Sequence, residues 1–334
     1  NSIDAGASEI RIELEEGGRK KLTVLDDGFG IAGDEMLTAL ERHATSKITE
    51  LDDLWNLSTM GFRGEALPSI AAVSRFTLES RTSDELGRAV YLEGGRILRD
   101  ERLPAQSAVR AHGTAITVED LFFNVPARLK FQKSRSGESG HIRELLERIA
   151  LCNPAIGFQL ISEGRKSLTL SKNQSIQERV AKILDIKESE IEETESQFEH
   201  ITVKAWLDRN GRAPNSRHVF LSVNGRMVRD KLLQQAVLIG LRARMMEGEY
   251  PRIFVAVEVP PGEVDVNVHP AKSEVRFQRA RDVFQVVHGA LDRLEKKPTQ
   301  AFYSPSIEGL SETSDAGPAA PAQEIAPQRQ ALPQ

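Results

Sequence analysis

The stretch Asp26-Asp27-Gly28-Phe29-Gly30 sets two carboxylates directly before two glycines, and these residue types point to opposite chemistries. Extended to Gly33 it fits G-x-G-x-x-G, after a strand-like run (Leu22, Val24, Leu25) and with Asp53 about twenty residues beyond, as a dinucleotide-binding turn asks. A pyrophosphate over those glycines, however, would face Asp26 and Asp27 and be repelled. A carboxylate at a strand end is better suited to accept a hydrogen bond from a neutral donor such as an adenine amino group. The glycines would let the backbone turn tightly and come close to a ligand. The same letters also spell an ordinary ligand-free turn, so the segment alone leaves all three open.

Further polar segments could share a site with it. Thr45-Ser46-Lys47 reads alone as a polar loop. Gly61-Phe62-Arg63-Gly64-Glu65-Ala66-Leu67 can present backbone N–H groups at a helix start, which suits an anion. Within it, Arg63 is either a phosphate contact or a packing residue, and Glu65 gives electrostatic support to the helix N-terminus. Thr114 follows His112-Gly113, and Lys272 closes His269-Pro270-Ala271-Lys272. No paired His, Cys or Asp spacing accompanies His269, so it is read as structural. Arg226, Arg229 and Lys231 follow a hairpin turn, and Arg209, Arg212 and Arg217 precede it. That cluster is a solvated face or a patch for phosphates, which needs no sequence preference.

The elements that must position these residues are legible in part. Ile10, Ile12 and Leu14 alternate, Gly17-Gly18 turns, and Leu22 and Val24 resume, a β-hairpin pattern. Met36, Leu37, Leu40 and Ala44 recur at helical spacing, 64–73 reads as a helix, and 76–80, 89–92 and 115–118 read as strands. A helix is predicted over 141–152. Beyond it, strands are predicted over 203–207 and 219–223, with an Asn224-Gly225 turn. A helix over 231–246, a strand over 253–259 and a helix over 280–294 follow. The acidic stretch 188–195 reads as a linker. Hairpins without strict β-α-β alternation make the first part α+β, a layered sandwich.

The 334 residues suffice for two domains and a tail, with 40% hydrophobic and 28% charged residues. A net charge of −5 means that any nucleic acid must bind at a local patch with marked salt sensitivity. No apolar run is long enough to span a bilayer. The single cysteine, Cys152, reads as a small buried hydrophobe and fits a reducing, cytoplasmic setting. The chain opens on Asn rather than Met and is expected to be a fragment.

In order, Asp26-Asp27-Gly28-Phe29-Gly30, Thr45-Ser46-Lys47, Gly61 to Leu67 and His112-Gly113-Thr114-Ala115 resemble the GHKL family of ATPases. Gly61 to Leu67 together with Thr45-Ser46-Lys47 narrow the likeness to the MutL branch, and the match continues through Leu121-Phe122-Phe123-Asn124-Val125-Pro126-Ala127-Arg128, Val223-Asn224-Gly225-Arg226-Met227 and Val264-Asp265-Val266-Asn267-Val268-His269-Pro270-Ala271-Lys272. The resemblance implies a GHKL (Bergerat) α/β sandwich ATPase domain over 1–185 and a smaller βαβ-type transducer domain over 196–297, while the Pro, Ala, Gln and Ser of 298–334 read as a disordered linker. It implies ATP and Mg2+, with Asn1 holding the metal. Asp26 would read adenine, and Asp27, where many members carry Asn, would face solvent. Gly28, Gly30, Thr114 and Gly61 to Leu67 would line the nucleotide, and Thr45, Ser46 and Lys47 would belong to a lid. Lys272 would reach the γ-phosphate as the catalytic contact. The family's general base, a Glu one helical turn before that Asn, would precede residue 1, which leaves hydrolysis by the chain as written open.

Arg226 and Arg229 would contact DNA without sequence preference. The partners implied are a MutS-type mismatch sensor, DNA, a second copy through ATP-driven dimerisation, and a helicase, sliding clamp or nicking endonuclease, in a bacterial cytoplasm and not at a membrane. Two other readings are a different GHKL machine (a type II topoisomerase subunit or heat-shock chaperone) and a nucleotide-gated DNA clamp without turnover. The first lacks the acidic cluster of strand cleavage, and an ATPase assay separates the second.

Overall fold

A computed structural model of the chain describes residues 1–41, 64–104, 106–109, 111–265 and 275–296, with residues 295 and 296 described by backbone alone. In β1 (Glu9–Glu15), Ile10, Ile12 and Leu14 are buried between more exposed neighbours, the period-2 signature of a strand with one face on a core. It turns back into β2 (Lys21–Asp26) through Gly17 and Gly18, whose φ of 69° and 85° lie in the left-handed region. Then come α1 (Glu35–Thr38), α2 (Ala66–Ala71), β3 (Arg75–Arg81), β4 (Arg88–Glu93), β5 (Arg96–Arg102) and β6 (Gly113–Glu119). After these follow α3 (Pro126–Leu129), α4 (Arg135–Cys152), β7 (Gly157–Ser162), β8 (Arg165–Leu170) and α5 (Ile176–Leu184). The eight strands form one sheet in the order β5-β4-β3-β6-β2-β1-β7-β8, parallel only at β1 and β7.

Both neighbours of β2 run antiparallel to it. A dinucleotide-binding turn needs a parallel β-α-β crossover there, so that reading of Gly28, Gly30 and Gly33 is excluded.

The second sheet is built from β9 (Ile191–Phe198), β10 (Ile201–Ala213), β11 (Val219–Val223), β12 (Arg226–Val228) and β13 (Tyr250–Glu258), in the order β12-β11-β13-β10-β9. Between β12 and β13 lies α6 (Lys231–Gly240), and because β11 and β13 are parallel this is a βαβ crossover. A small pair, β14 (Val264–Asp265) with β15 (Arg276–Phe277), precedes α7 (Ala280–Lys296). One face of the sheet (Val203, Ala205, Leu207, Val255) packs on α6 and α7. A Cβ on Gly240 would come within 3.0 Å of the Leu291 Cβ, so α6 needs a glycine where α7 lies against it. The other face, through Trp206, Phe220 and Phe254, joins the core that β1, β7, β8, α4 and α5 build. Residues 1–297 are therefore one compact unit with the second sheet sandwiched in the middle.

The stretch read as an acidic linker is a correction. Residues 188–190 form a 3-10 turn, and 191 onward is β9, the edge of the second sheet. Along β9, Thr194 donates its hydroxyl to the Ala290 carbonyl (3.2 Å), and Glu192 is held by Arg209 and Arg244. Charges on an edge strand keep water on the open side and look like a linker in sequence. The predicted helix over 231–246 stops at Gly240, with a 3-10 turn at Arg242–Arg244. Of the 36–44 pattern, α1 covers the start and 42–44 lie outside the described residues. The 298–334 tail also lies outside them. Among the described residues no helix is long and apolar enough to cross a membrane.

Candidate functional site

Asp26 ends β2, flanked in register by Ile10 of β1 and Thr114 of β6. It is 7% exposed, a costly place for a carboxylate without donors. Two donors are supplied: Ser2 Oγ–H at 2.6 Å from Oδ2, and the Gly28 N–H at 3.0 Å from Oδ1. Beside it Thr114 is buried, with its hydroxyl 3.0 Å from Ser80 Oγ. Ser80 commits its own proton to the Gly113 carbonyl (3.0 Å) and accepts the Ile31 N–H (2.8 Å). Thr114 therefore supplies the proton in that pair, which leaves its oxygen as an acceptor.

The glycines are demanded by protein backbone. A Cβ on Gly28 would meet the Ala5 carbonyl oxygen at 2.8 Å. Gly30, at φ +81°, would drive one into the Arg81 carbonyl, and Gly113, at φ +124°, into that of Asp26. The turn is further pinned by the Phe29 N–H on Ala5 O (3.0 Å) and by His112 Nδ1 at 2.8 Å from Gly28 O, which makes Nδ1 the protonated nitrogen. The loop after Asp26, the first residues of the chain and the end of β3 thus form one backbone-to-backbone knot.

Asp27, expected to face solvent, is partly exposed and is also engaged by the start of β1. Its carboxylate accepts the Ser8 N–H (2.8 Å), the Ser8 hydroxyl (2.6 Å) and the Glu9 N–H (2.8 Å). Desolvation works to raise its pKa, but these hydrogen bonds outweigh it and hold the carboxyl below the usual range. Its role is to fix the entry into β1. Asn1 is exposed, one residue before the serine that holds Asp26, and its carbonyl accepts the Ala5 N–H (2.8 Å). Gly64 has φ 61°, Glu65 and Ala66 are exposed, and Leu67 packs on the core around Phe76 and Leu78. Thr45, Ser46, Lys47, Gly61, Phe62, Arg63, His269 and Lys272 lie outside the described residues. Among the described residues no group of three His, Cys, Asp or Glu is placed to hold a metal.

Sequence reasoning passed over Ser2, Ser8, Ser80 and His112. His112 lies inside a quoted motif and Ser2 directly follows the singled-out Asn1, so both could have been named. Ser80 carries no local signal, because its partners come from two other segments, the loop at Ile31 and the start of β6.

The basic cluster separates. Arg226 is half-buried on β12, where burial pushes its pKa down and the Asp4 carboxylate opposes this. Arg209 pairs with Glu192 (3.0 Å), and Arg212 donates to the Arg244 carbonyl (2.8 Å). Arg229 and Arg217 instead converge on Glu144 of α4, at 3.3 and 3.7 Å. Cys152, also on α4, is partly buried rather than in the core, and desolvation pushes its thiol up to about 12.

A buried strand-end carboxylate beside a threonine, on a mixed sheet with a glycine-pinned turn, defines a class. Residues 1–97 match the family model "Histidine kinase-, DNA gyrase B-, and HSP90-like ATPase", and residues 180–295 match "DNA mismatch repair protein, C-terminal domain". The fold is that of a GHKL-type ATPase domain joined to a second domain. The solved Aquifex aeolicus MutL ATPase domain complexed with ADP is 30% identical with a TM-score of 0.60, the match covering 78% of this chain and 88% of that one. The DNA mismatch repair protein MutL of Geobacter sulfurreducens is 42% identical over 87% of this chain and 48% of its own length. A solved N-terminal domain of a DNA repair protein shares the fold, with 24% identity and a TM-score of 0.72 over 88% of this chain and 90% of its own. This chain belongs to the MutL family of DNA mismatch repair proteins. It spans about half the length of the curated relatives it matches.

Proposed function

We propose that this chain binds ATP with magnesium, and that slow hydrolysis in the whole protein drives lid closure and pairing of two such halves. The observation that carries the reading is Asp26. Each of its oxygens takes one internal hydrogen bond, and a carboxylate offers about four acceptor sites. Capacity remains for the amino group of an adenine, with the Thr114 hydroxyl oxygen alongside. Asn1 offers a neutral oxygen, the donor type that suits a hard ion keeping several waters. Magnesium would neutralise phosphate charge there. Gly64 at the start of α2, with Gly61, Phe62, Arg63, Thr45, Ser46 and Lys47, would enclose the phosphates, and Lys272 would act on charge developing at the γ-phosphate.

In the whole protein this cycle would couple a MutS-type mismatch sensor to strand incision. Arg226 and Arg229 would hold duplex DNA through its phosphates, Arg229 being the exposed one of the two. Calorimetric titration with a non-hydrolysable ATP analogue, with and without magnesium, tests the site. Binding that strengthens with magnesium is expected, and a chain that takes up no nucleotide would overturn the proposal. In the full-length protein, Lys272→Ala should lower turnover by about tenfold or more while the dissociation constant changes little, because the lysine acts in the transition state.

A further inference from the structure

We propose that Glu144 is a built-in competitor for DNA phosphate, holding Arg217 and Arg229 until a nucleic-acid backbone draws them away. This rests on the DNA-binding reading above. Glu144 lies on α4, on the nucleotide-domain side, and three guanidiniums converge on it. Arg148 Nε approaches Oε1 at 3.3 Å from the next turn of the same helix. Arg229 Nη2, just past β12, approaches Oε1 at 3.3 Å, and Arg217 Nε, just before β11, lies 3.7 Å from Oε2. Three cations face one carboxylate, a local surplus of two positive charges.

The neighbouring acid behaves differently. Glu147 is buried and paired one-to-one with Arg143 Nε at 2.8 Å, and Arg143 also donates to the Ser167 carbonyl (3.0 Å). That is a closed structural pair. Around Glu144 the distances exceed those of a tight charge-assisted hydrogen bond, roughly 2.7–2.9 Å. Arg217 and Arg229 are also open to water, with side chains 47% and 68% exposed, while Glu144 beneath them is 16% exposed. A guanidinium has five N–H donors; Arg229 gives Glu144 a hydrogen bond from Nη2 at 3.3 Å, and Arg217 comes no nearer to it than 3.7 Å. An anion arriving from solvent meets two available forks, and phosphate matches them as a carboxylate does. Glu144, below, repels that anion and shares its cations.

The arrangement joins two parts of the fold. Drawing Arg217 and Arg229 outward would break the ion pairs that tie α4 to the second sheet. Arg148 would stay with Glu144, because it is half-buried, and its guanidinium lies over the Phe220 ring at 5.4 Å. DNA binding would thereby loosen one specific seam between the nucleotide domain and the second sheet.

Fluorescence anisotropy with a labelled mixed-sequence duplex tests this on the full chain. Glu144→Gln should tighten binding about fivefold or more at about 100 mM salt, and steepen the salt dependence by about one unit. Glu195→Gln makes the same change in net charge on β9, where its partner is the exposed Lys204 (3.6 Å), and should change affinity less than about twofold. With Arg217 and Arg229 both replaced by alanine, Glu144→Gln should bring no gain. If Glu144→Gln does not fold because Arg148 is left unpaired, Glu144→Gln/Arg148→Gln removes the stranded cation and is read instead. Equal effects of the 144 and 195 replacements, in a chain that binds duplex, overturn this inference alone. If neither wild type nor the Glu144 variants bind duplex at low salt, the DNA-binding reading falls and takes this with it.

Discussion

Asp26 combines two demands that are usually separated. It is buried enough to need internal donors, and as the proposed adenine acceptor it would have to keep acceptor capacity for a ligand. Asp26→Asn separates them. The remaining carbonyl oxygen can keep the Gly28 N–H, and the Ser2 hydroxyl can turn from donor to acceptor toward the new amide. Folding stability should therefore fall by no more than about 1 kcal/mol. The ligand side fares worse, because an amide N–H would oppose an adenine N–H, and affinity for a non-hydrolysable ATP analogue should drop by about a hundredfold. Calorimetry alongside urea denaturation reads both effects. An unchanged dissociation constant would remove Asp26 from the adenine site.

Among the elements, the turn after β2 is the least tolerant. Gly30 faces the Arg81 carbonyl across a left-handed φ, so Gly30→Ala suffers both backbone strain and collision with a main-chain atom that cannot rotate away. A loss of about 2–4 kcal/mol in urea denaturation is expected. Gly33 offers the contrast. A Cβ there meets only the Glu85 carboxylate and the Arg88 Cδ, at 3.6 and 3.9 Å, ordinary van der Waals contacts, and Gly33→Ala should cost less than about 1 kcal/mol. Equal losses at the two positions would mean that the knot with the end of β3 does not hold the turn. The hairpin turn at Asn224-Gly225 is conservative by comparison, with φ of 48° and 72° as a two-residue hairpin requires.

For the whole molecule, the second sheet is the member that both layers share. Trp206 is 4% exposed and stacks on Phe254 with centroids 5.5 Å apart, on the face turned toward the first sheet. Trp206→Ala should cost about 3–5 kcal/mol, as large aromatic deletions from a packed core do. A loss under about 1 kcal/mol, measured by the denaturation midpoint, would mean that the first domain does not lean on this layer. The charged surface belongs to the same scale. Arg229→Gln should weaken duplex binding about equally for all sequences and reduce the salt slope by about one, leaving nucleotide affinity unchanged. An unchanged slope would return that arginine to a merely solvated role.

By itself the sequence determined the chemistry that local order can carry. The Asp-Gly segment, the alternation of β1, the strand-like runs of β3 and β6, the Asn224-Gly225 turn and the order of the motifs are properties of neighbouring residues, and together they pointed to the right family. What it could not determine is pairing over distance. Ser80 meets Gly113, Thr114 and Ile31, and Glu144 meets an arginine 85 residues away, because β-strand order brings those segments together and no local spacing announces it. The same holds for β9, whose acids read as a solvated linker until β10 supplies the missing partner strand. Asp27 likewise looked solvent-facing until the turn at Ser8 folded onto it. Side-chain periodicity reflects burial on one face of an element, and it is silent on which other element covers that face. That choice is made by the sum of many weak contacts over the whole chain, so only the tertiary structure decided which carboxylate is buried at a strand end, which anchors the backbone and which gathers arginines.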